Sequence, residues 1–296
     1  MSVVRTVLGD IPGEQLGTCW AHEHLVIDGG VAKLVNPEIS LQRVEDAVAE
    51  LAPCVAAGLR AVVDAMPADA GRNVAKLAAI SRRAGVHVIA ATGLHHARFY
   101  GERHWGELLE PEELAELFVA DVTDGIDAHD YNGPVVRRTP HRAGVVKVAG
   151  SLDGPSPRDR RIFEAAALAV ARTGTALLTH CEVGTGGVAQ LELLEELGVP
   201  LHRVILSHTD KVPDRGYHRE LLSAGAWLVY DQGLRSPDTT ARLVGWMVED
   251  GHQGRQGPVA GPLDELPGLQ PVAEGEPVGR LQALVHLIRP VQPGIV

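Results

Sequence analysis

Seven times along this chain a short apolar run is followed by an amphipathic stretch, and few folds accept that pattern. The runs are the segment ending in His22-Glu23-His24, then Arg60–Asp64, Val86–Ala91, Gly144–Ala149, Thr175–Thr179, Arg203–Ser207 and Ala226–Tyr230. Each reads as a strand buried on both faces, as strands of a parallel sheet are. The stretches between them, 41–57, 73–84, 112–124, 158–173, 188–197, 217–224 and 236–251, carry helix starts such as Ser40, Pro111 and Ser236-Pro237-Asp238. Most stop at a glycine: Gly58, Gly85, Gly125, Gly174, Gly198, Gly225. Repeated strand–helix units imply a parallel sheet, either open and doubly wound or closed into a (β/α)8 TIM-type barrel.

What ends the strands favours the α/β barrel. His22, His24, Lys147, His180, His208 and Asp231 all fall at or just past strand C-termini. Residues from many strands converge on one point only if the sheet closes, and the C-terminal mouth of a barrel is where such sites lie. No GxGxxG follows the first strand, so a dinucleotide-binding sheet lacks its main support.

Composition sets the remaining bounds. A chain of 296 residues with 45% hydrophobic content has ample core for one large domain, and its net charge of −11 argues against nucleic acid or an anionic membrane as partner. Cys19, Cys54 and Cys181 are an odd, scattered set, suggesting free thiols in a reducing compartment. The N-terminus has no long apolar stretch, and no run of apolar residues is long enough to span a bilayer. The expected location is therefore cytoplasmic.

The chemistry begins with His22-Glu23-His24. On a strand, alternate side chains share a face, so both imidazoles point the same way and can hold one metal ion. His180 in LLTHCEVG and His208 in VILSHTDK supply two more at later strand ends. Lys147, between valines in GVVKVA, is costly to bury unless paired or modified. A desolvated lysine loses its proton readily, and the neutral amine can combine with carbon dioxide to give a carbamate, an anionic oxygen ligand.

These segments resemble the phosphotriesterase family of the amidohydrolase superfamily: His22-Glu23-His24, VVDAMPADAGRN, ATGLH, VVKVAG with Lys147, LLTHCEVGTGG with His180 and VILSHTDK with His208. The resemblance covers roughly residues 3–250. It implies a barrel with two divalent metals, usually zinc. His22 and His24 would hold the buried ion, and His180 and His208 the exposed one. Carbamylated Lys147 and a hydroxide would bridge the pair, and the hydroxide would attack a lactone, carboxylic ester or organophosphate ester. The implied partner is a small-molecule ester or lactone substrate, with a homodimer as the candidate assembly. A mononuclear deaminase of the same superfamily would not need the bridging lysine.

The family's strand-eight aspartate has no counterpart where it is expected, just after Gly251. Residues 251–296 hold 15 Gly and Pro, against 37 in the first 250, and Asp264, between prolines, is their one aspartate. The domain expectation is therefore a metal-dependent hydrolase barrel over 1–250 and an atypical tail over 251–296, arising from a reading-frame shift or a divergent segment. Leu281–Ile288 is the apolar run long enough to enter the gap as a strand or to pack outside it as a helix. Asp231 ends strand seven, near the metals in the family but not a ligand of the pair. With His95 and His96 in the loop Leu94–Trp105, it is a candidate for substrate contact. The alternative function is a metal-binding relic whose catalysis is impaired.

Overall fold

In a computed structural model, residues 3–30, 37–101, 103–233, 235–252 and 286–288 are described. An antiparallel hairpin, β1 (Val3–Thr6) and β2 (Gly9–Pro12), comes first. The strand–helix units then follow in order: β3 (Thr18–Glu23), α1 (Val44–Ala56), β4 (Leu59–Asp64), α2 (Val74–Ala84), β5 (His87–Gly93), α3 (Pro111–Thr123) and β6 (Ala143–Gly150). After them come α4 (Pro157–Thr173), β7 (Ala176–Cys181), α5 (Gly187–Glu196), β8 (Val204–Ser207), α6 (Arg215–Ser223), β9 (Trp227–Tyr230), α7 (Pro237–Glu249) and β10 (His286–Ile288).

Strands β3 to β9 pair in parallel, each with its sequence neighbour, as right-handed βαβ crossovers require. β10 pairs antiparallel with β9, His286 opposite Tyr230 and Ile288 opposite Leu228, and also lies against β3. The sheet is thus a nearly closed TIM-type barrel, with the eighth position taken by an antiparallel strand. Of the Leu281–Ile288 run, the last three residues adopt the strand; 281–285, Asp264 and most of the tail lie outside the described residues.

The strands are buried on both faces. Outward, Val146, Val148, Leu177, Leu206 and Leu228 meet the helix layer at Phe118, Phe163, Leu194 and Leu222. Inward, Ile89, Ala91, Val145 and Leu178 fill the barrel together with Val4 and Leu16 from the N-terminal segment. The hairpin was not foreseen from the sequence, and it covers the bottom of the barrel. Val7 N donates to Val88 O at 2.8 Å, and His141 Nδ1 lies 2.6 Å from Val7 O. Helix ends match their residues: Asn73 and Ser156 cap α2 and α4 through their side chains, and Gly85 and Gly174 close them in the left-handed conformation. Among the described residues, no helix is long and apolar enough to cross a membrane.

Candidate metal centre

The mouth of the barrel gathers six imidazoles. His22 and His24, at the end of β3, stand 5.4 Å apart between ring centroids in a T-shaped arrangement. His22 is 4.6 Å from His208, His208 is 4.4 Å from His180, and His180 is 4.9 Å from His95 and 5.3 Å from His96. The structure therefore brings together all of the singled-out histidines, with the loop after β5 adding His95 and His96 on the His180 side.

Local backbone fixes each one. Asp64, at the end of β4, accepts from Leu25 N at 2.7 Å and Met66 N at 3.1 Å, which pins the turn just after His24. His208 follows β8 with φ +67°, a left-handed conformation that histidine adopts more readily than most residues. Asp210 accepts from Gln232 N at 2.8 Å and Thr240 Oγ1 at 3.0 Å, locking the turn after β8 to the turn after β9.

Lys147 is 1% exposed in β6, and its Nζ has no hydrogen-bond partner. Burial pushes its ammonium down to about 7, against a weaker pull upward from Asp231. The imidazoles shift the same way: burial, then the Lys147 charge, puts His22 well below its ordinary value and His24 down to about 3. Burial likewise lowers His180 and His208. The imidazoles are thus neutral near pH 7, the form in which they are ligands. The nitrogens His22 Nδ1, His24 Nδ1 and His208 Nδ1 are buried without hydrogen-bond partners. Buried ring nitrogens left without a directed partner suit a cation, since unpaired buried polar groups are otherwise costly.

Among the described residues, two groups each hold ligand atoms within 4.8 Å of one another: His22, His208 and Asp231, and His96, His180 and Glu182. Asp231 Oδ2 is 2.6 Å from His208 Nδ1 and 3.7 Å from His22 Nδ1. Burial opposes its ionisation, but His208 and the Gln232 side chain hold its carboxyl below the usual range. Glu182 escaped the sequence reading, although its place two residues after His180 at a strand end was the available signal. Its Oε2 accepts from His180 Nε2 at 3.0 Å and lies 3.2 Å from His96 Nε2, while Arg98 grips the carboxylate with both terminal nitrogens. Donation from Nε2 fixes the His180 tautomer and leaves Nδ1 with its lone pair free to bind.

The loop that carries His95 and His96 is anchored along its length. Arg158 donates to His95 O at 2.9 Å and to the Glu107 carboxylate, and Asp69 Oδ2 takes both His104 Nε2 and Trp105 Nε1 at 3.0 Å. A cavity of about 600 Å³ lined by Asp28, Arg72, Asn73, Asp127 and Asp130 lies away from the cluster, and none of the six histidines lines it.

A phospho-furanose lactonase of Mycoplasmopsis agalactiae is 31% identical over 232 residues, 77% of this chain and 66% of that protein, so the chain spans just under two thirds of that relative's length. A second phospho-furanose lactonase, from Mycoplasmopsis synoviae, is 30% identical over 258 residues, 84% of this chain and 73% of that protein. Among solved structures, an amidohydrolase from Mycoplasma synoviae superposes with a TM-score of 0.80 at 29% identity, covering 84% of this chain and 73% of its own. A lactonase from Listeria monocytogenes gives 0.76 at 25% identity, covering 84% and 79%. The sequence profile of the phosphotriesterase family matches residues 2–256, and the chain belongs to that family.

Proposed function

We propose that this chain is a metal-dependent hydrolase of ester-type bonds, with lactones as its first substrate class. The observation that carries the reading is the convergence of buried, neutral imidazoles with Lys147 and Asp231 at the C-terminal mouth of the barrel. The lactonase names of several relatives favour a cyclic ester over a phosphotriester.

His22, His24, His180 and His208 are the proposed ligands of two divalent cations, zinc being the metal that such nitrogen donors suit. Lys147 joins them as a carbamate. Its amine nitrogen attacks the carbon of carbon dioxide, a proton leaves, and the buried site exchanges an ammonium for an anionic oxygen donor. When bound, the cations would acidify water and polarise the ester carbonyl. The protein's own part is to keep the imidazoles neutral, to orient His180 through Glu182, and to hold a carboxylate, Asp231, where a proton can be accepted. Arg98, His95 and His96 line the His180 side, where an oxygen-rich substrate would enter.

The test is zinc content together with turnover. Protein from zinc-supplemented cells should hold about one to two zinc ions per chain by elemental analysis. It should open lactones or aryl esters and lose that activity on chelation. His22→Asn should lose metal and turnover together. Zinc near zero and no ester or lactone turned over would sink the reading.

A further inference from the structure

We infer that Asp231 is itself a metal ligand, completing a buried site with His22 and His208. These residues come from three strands, β3, β8 and β9, that sequence spacing alone does not connect. Yet Asp231 Oδ2, His22 Nδ1 and His208 Nδ1 lie within one 4.8 Å group.

The observation that separates a ligand from an ordinary ion-pair partner is direction. Asp231 Oδ2 and His208 Nδ1 stand 2.6 Å apart, and both atoms are buried without a properly directed hydrogen bond. His22 Nδ1 is likewise buried and without a partner, 3.7 Å from the same oxygen. Three buried ligand-type atoms thus crowd within 4.8 Å of one another, and none has a directed hydrogen bond. A hydrogen-bonded pair would align donor and acceptor; a cation needs only the atoms around it.

The carboxylate is also set in a rigid frame. Its other oxygen, Oδ1, accepts from Gln232 Nε2 at 2.6 Å, which orients Oδ2 toward the histidines. Gln232 N is tied to Asp210, and the preceding Tyr230 is locked through its hydroxyl to His218 Nδ1 at 2.6 Å. Metal ligands supported in this way by outer hydrogen bonds are the expected design. Two imidazoles and one carboxylate form a donor set suited to zinc.

This inference rests on the proposed reading only in that a cation occupies the mouth, and it can fail separately. Zinc affinity is measured by chelator competition on the full chain, for the wild type, Asp231→Asn, Asp231→Glu and Asp264→Asn. Asp231→Asn is expected to bind the tighter ion about 100-fold more weakly, and Asp231→Glu to recover part of that loss. Asp264→Asn, which removes the one aspartate after Gly251, should match the wild type. Anomalous diffraction from zinc-loaded wild-type crystals provides a readout that no folding defect can blur, with an Asp231 oxygen expected at about 2.0–2.2 Å from an ion. Asp231→Asn with wild-type affinity, or an ion beyond bonding reach of Asp231, would overturn the assignment while leaving the hydrolase reading intact. Tight zinc through Asp231 with no ester turned over would do the reverse.

Discussion

Gly93 sits opposite Lys147 across β5 and β6, and a Cβ on Gly93 would fall 1.9 Å from the Lys147 carbonyl oxygen. With φ at +99°, Gly93 also occupies backbone space that L side chains rarely adopt. The glycine lets the two strands close up at the position where the lysine enters the barrel. Gly93→Ala should therefore displace β6 as well as strain β5. We expect a destabilisation of about 2 kcal/mol or more, seen in urea titration, with reduced zinc content in the fraction that folds. A variant as stable and as metal-loaded as the wild type would show that the close approach is unimportant.

Lys147 makes the metal-free protein's stability depend on pH in a definite direction. Its folded pKa is lowered to about 7 from 10.5. Between those values the unfolded chain binds the proton and the folded chain does not, so stability rises with pH through that window. The wild type stripped of metal should gain on the order of 2 kcal/mol between pH 7 and 9, a shift of several degrees in Tm. Lys147→Met keeps the apolar contacts and removes the titration, so its Tm should be flatter across the same range. Parallel curves for the two proteins would rule out the lysine as the source.

The alternation of elements was legible because each parallel strand must be apolar on both faces, and all seven runs read from sequence became strands β3 to β9. The strand-end histidines were legible for the same reason, since a strand's end fixes where its last side chain goes. The N-terminal hairpin was not. Val3–Thr6 is half polar, and its partner Gly9–Pro12 carries an aspartate and a proline, so neither segment shows the alternation of a strand. Nor could sequence reveal that Arg98, 84 residues before Glu182, would grip that carboxylate, because the contact depends on two loops whose paths follow from the closed barrel. Asp231 was visible as a strand end, but its 2.6 Å approach to His208 needs the left-handed turn at His208, which no local pattern announces.

Glu182 provides a test of orientation without removal of a proposed ligand. Its carboxylate accepts from His180 Nε2, while Arg98 holds it in place and keeps it ionised against its partial burial. Glu182→Gln retains an acceptor oxygen but loses the charge. Zinc affinity should fall about 10-fold, as expected when an outer partner of a ligating histidine is weakened. Glu182→Ala should fall further. Equal affinities in all three proteins would mean that the packing around His180 alone holds its ring.

The final prediction concerns closure of the sheet. β9 would present an open edge without β10, and an exposed edge is a template for aggregation. His286, Leu287 and Ile288 stand opposite Tyr230, Val229 and Leu228. Hydrogen-bonded and non-bonded pairs alternate along an antiparallel ladder, so of two adjacent residues one directs its N–H to β9 and the other away from it. Proline removes that N–H. Leu287→Pro and Ile288→Pro should therefore differ: one breaks a bond to β9, and the other meets only the cost of the ring on the β3 side. We expect the more damaging of the two to lose about 2–3 kcal/mol, lowering Tm by roughly 5–10 °C, and to scatter light on heating before the wild type does. Because β9 runs directly into Asp231, the same variant should also lose zinc. If both variants melt with the wild type and keep their metal, β10 is not what holds the seventh parallel strand in place.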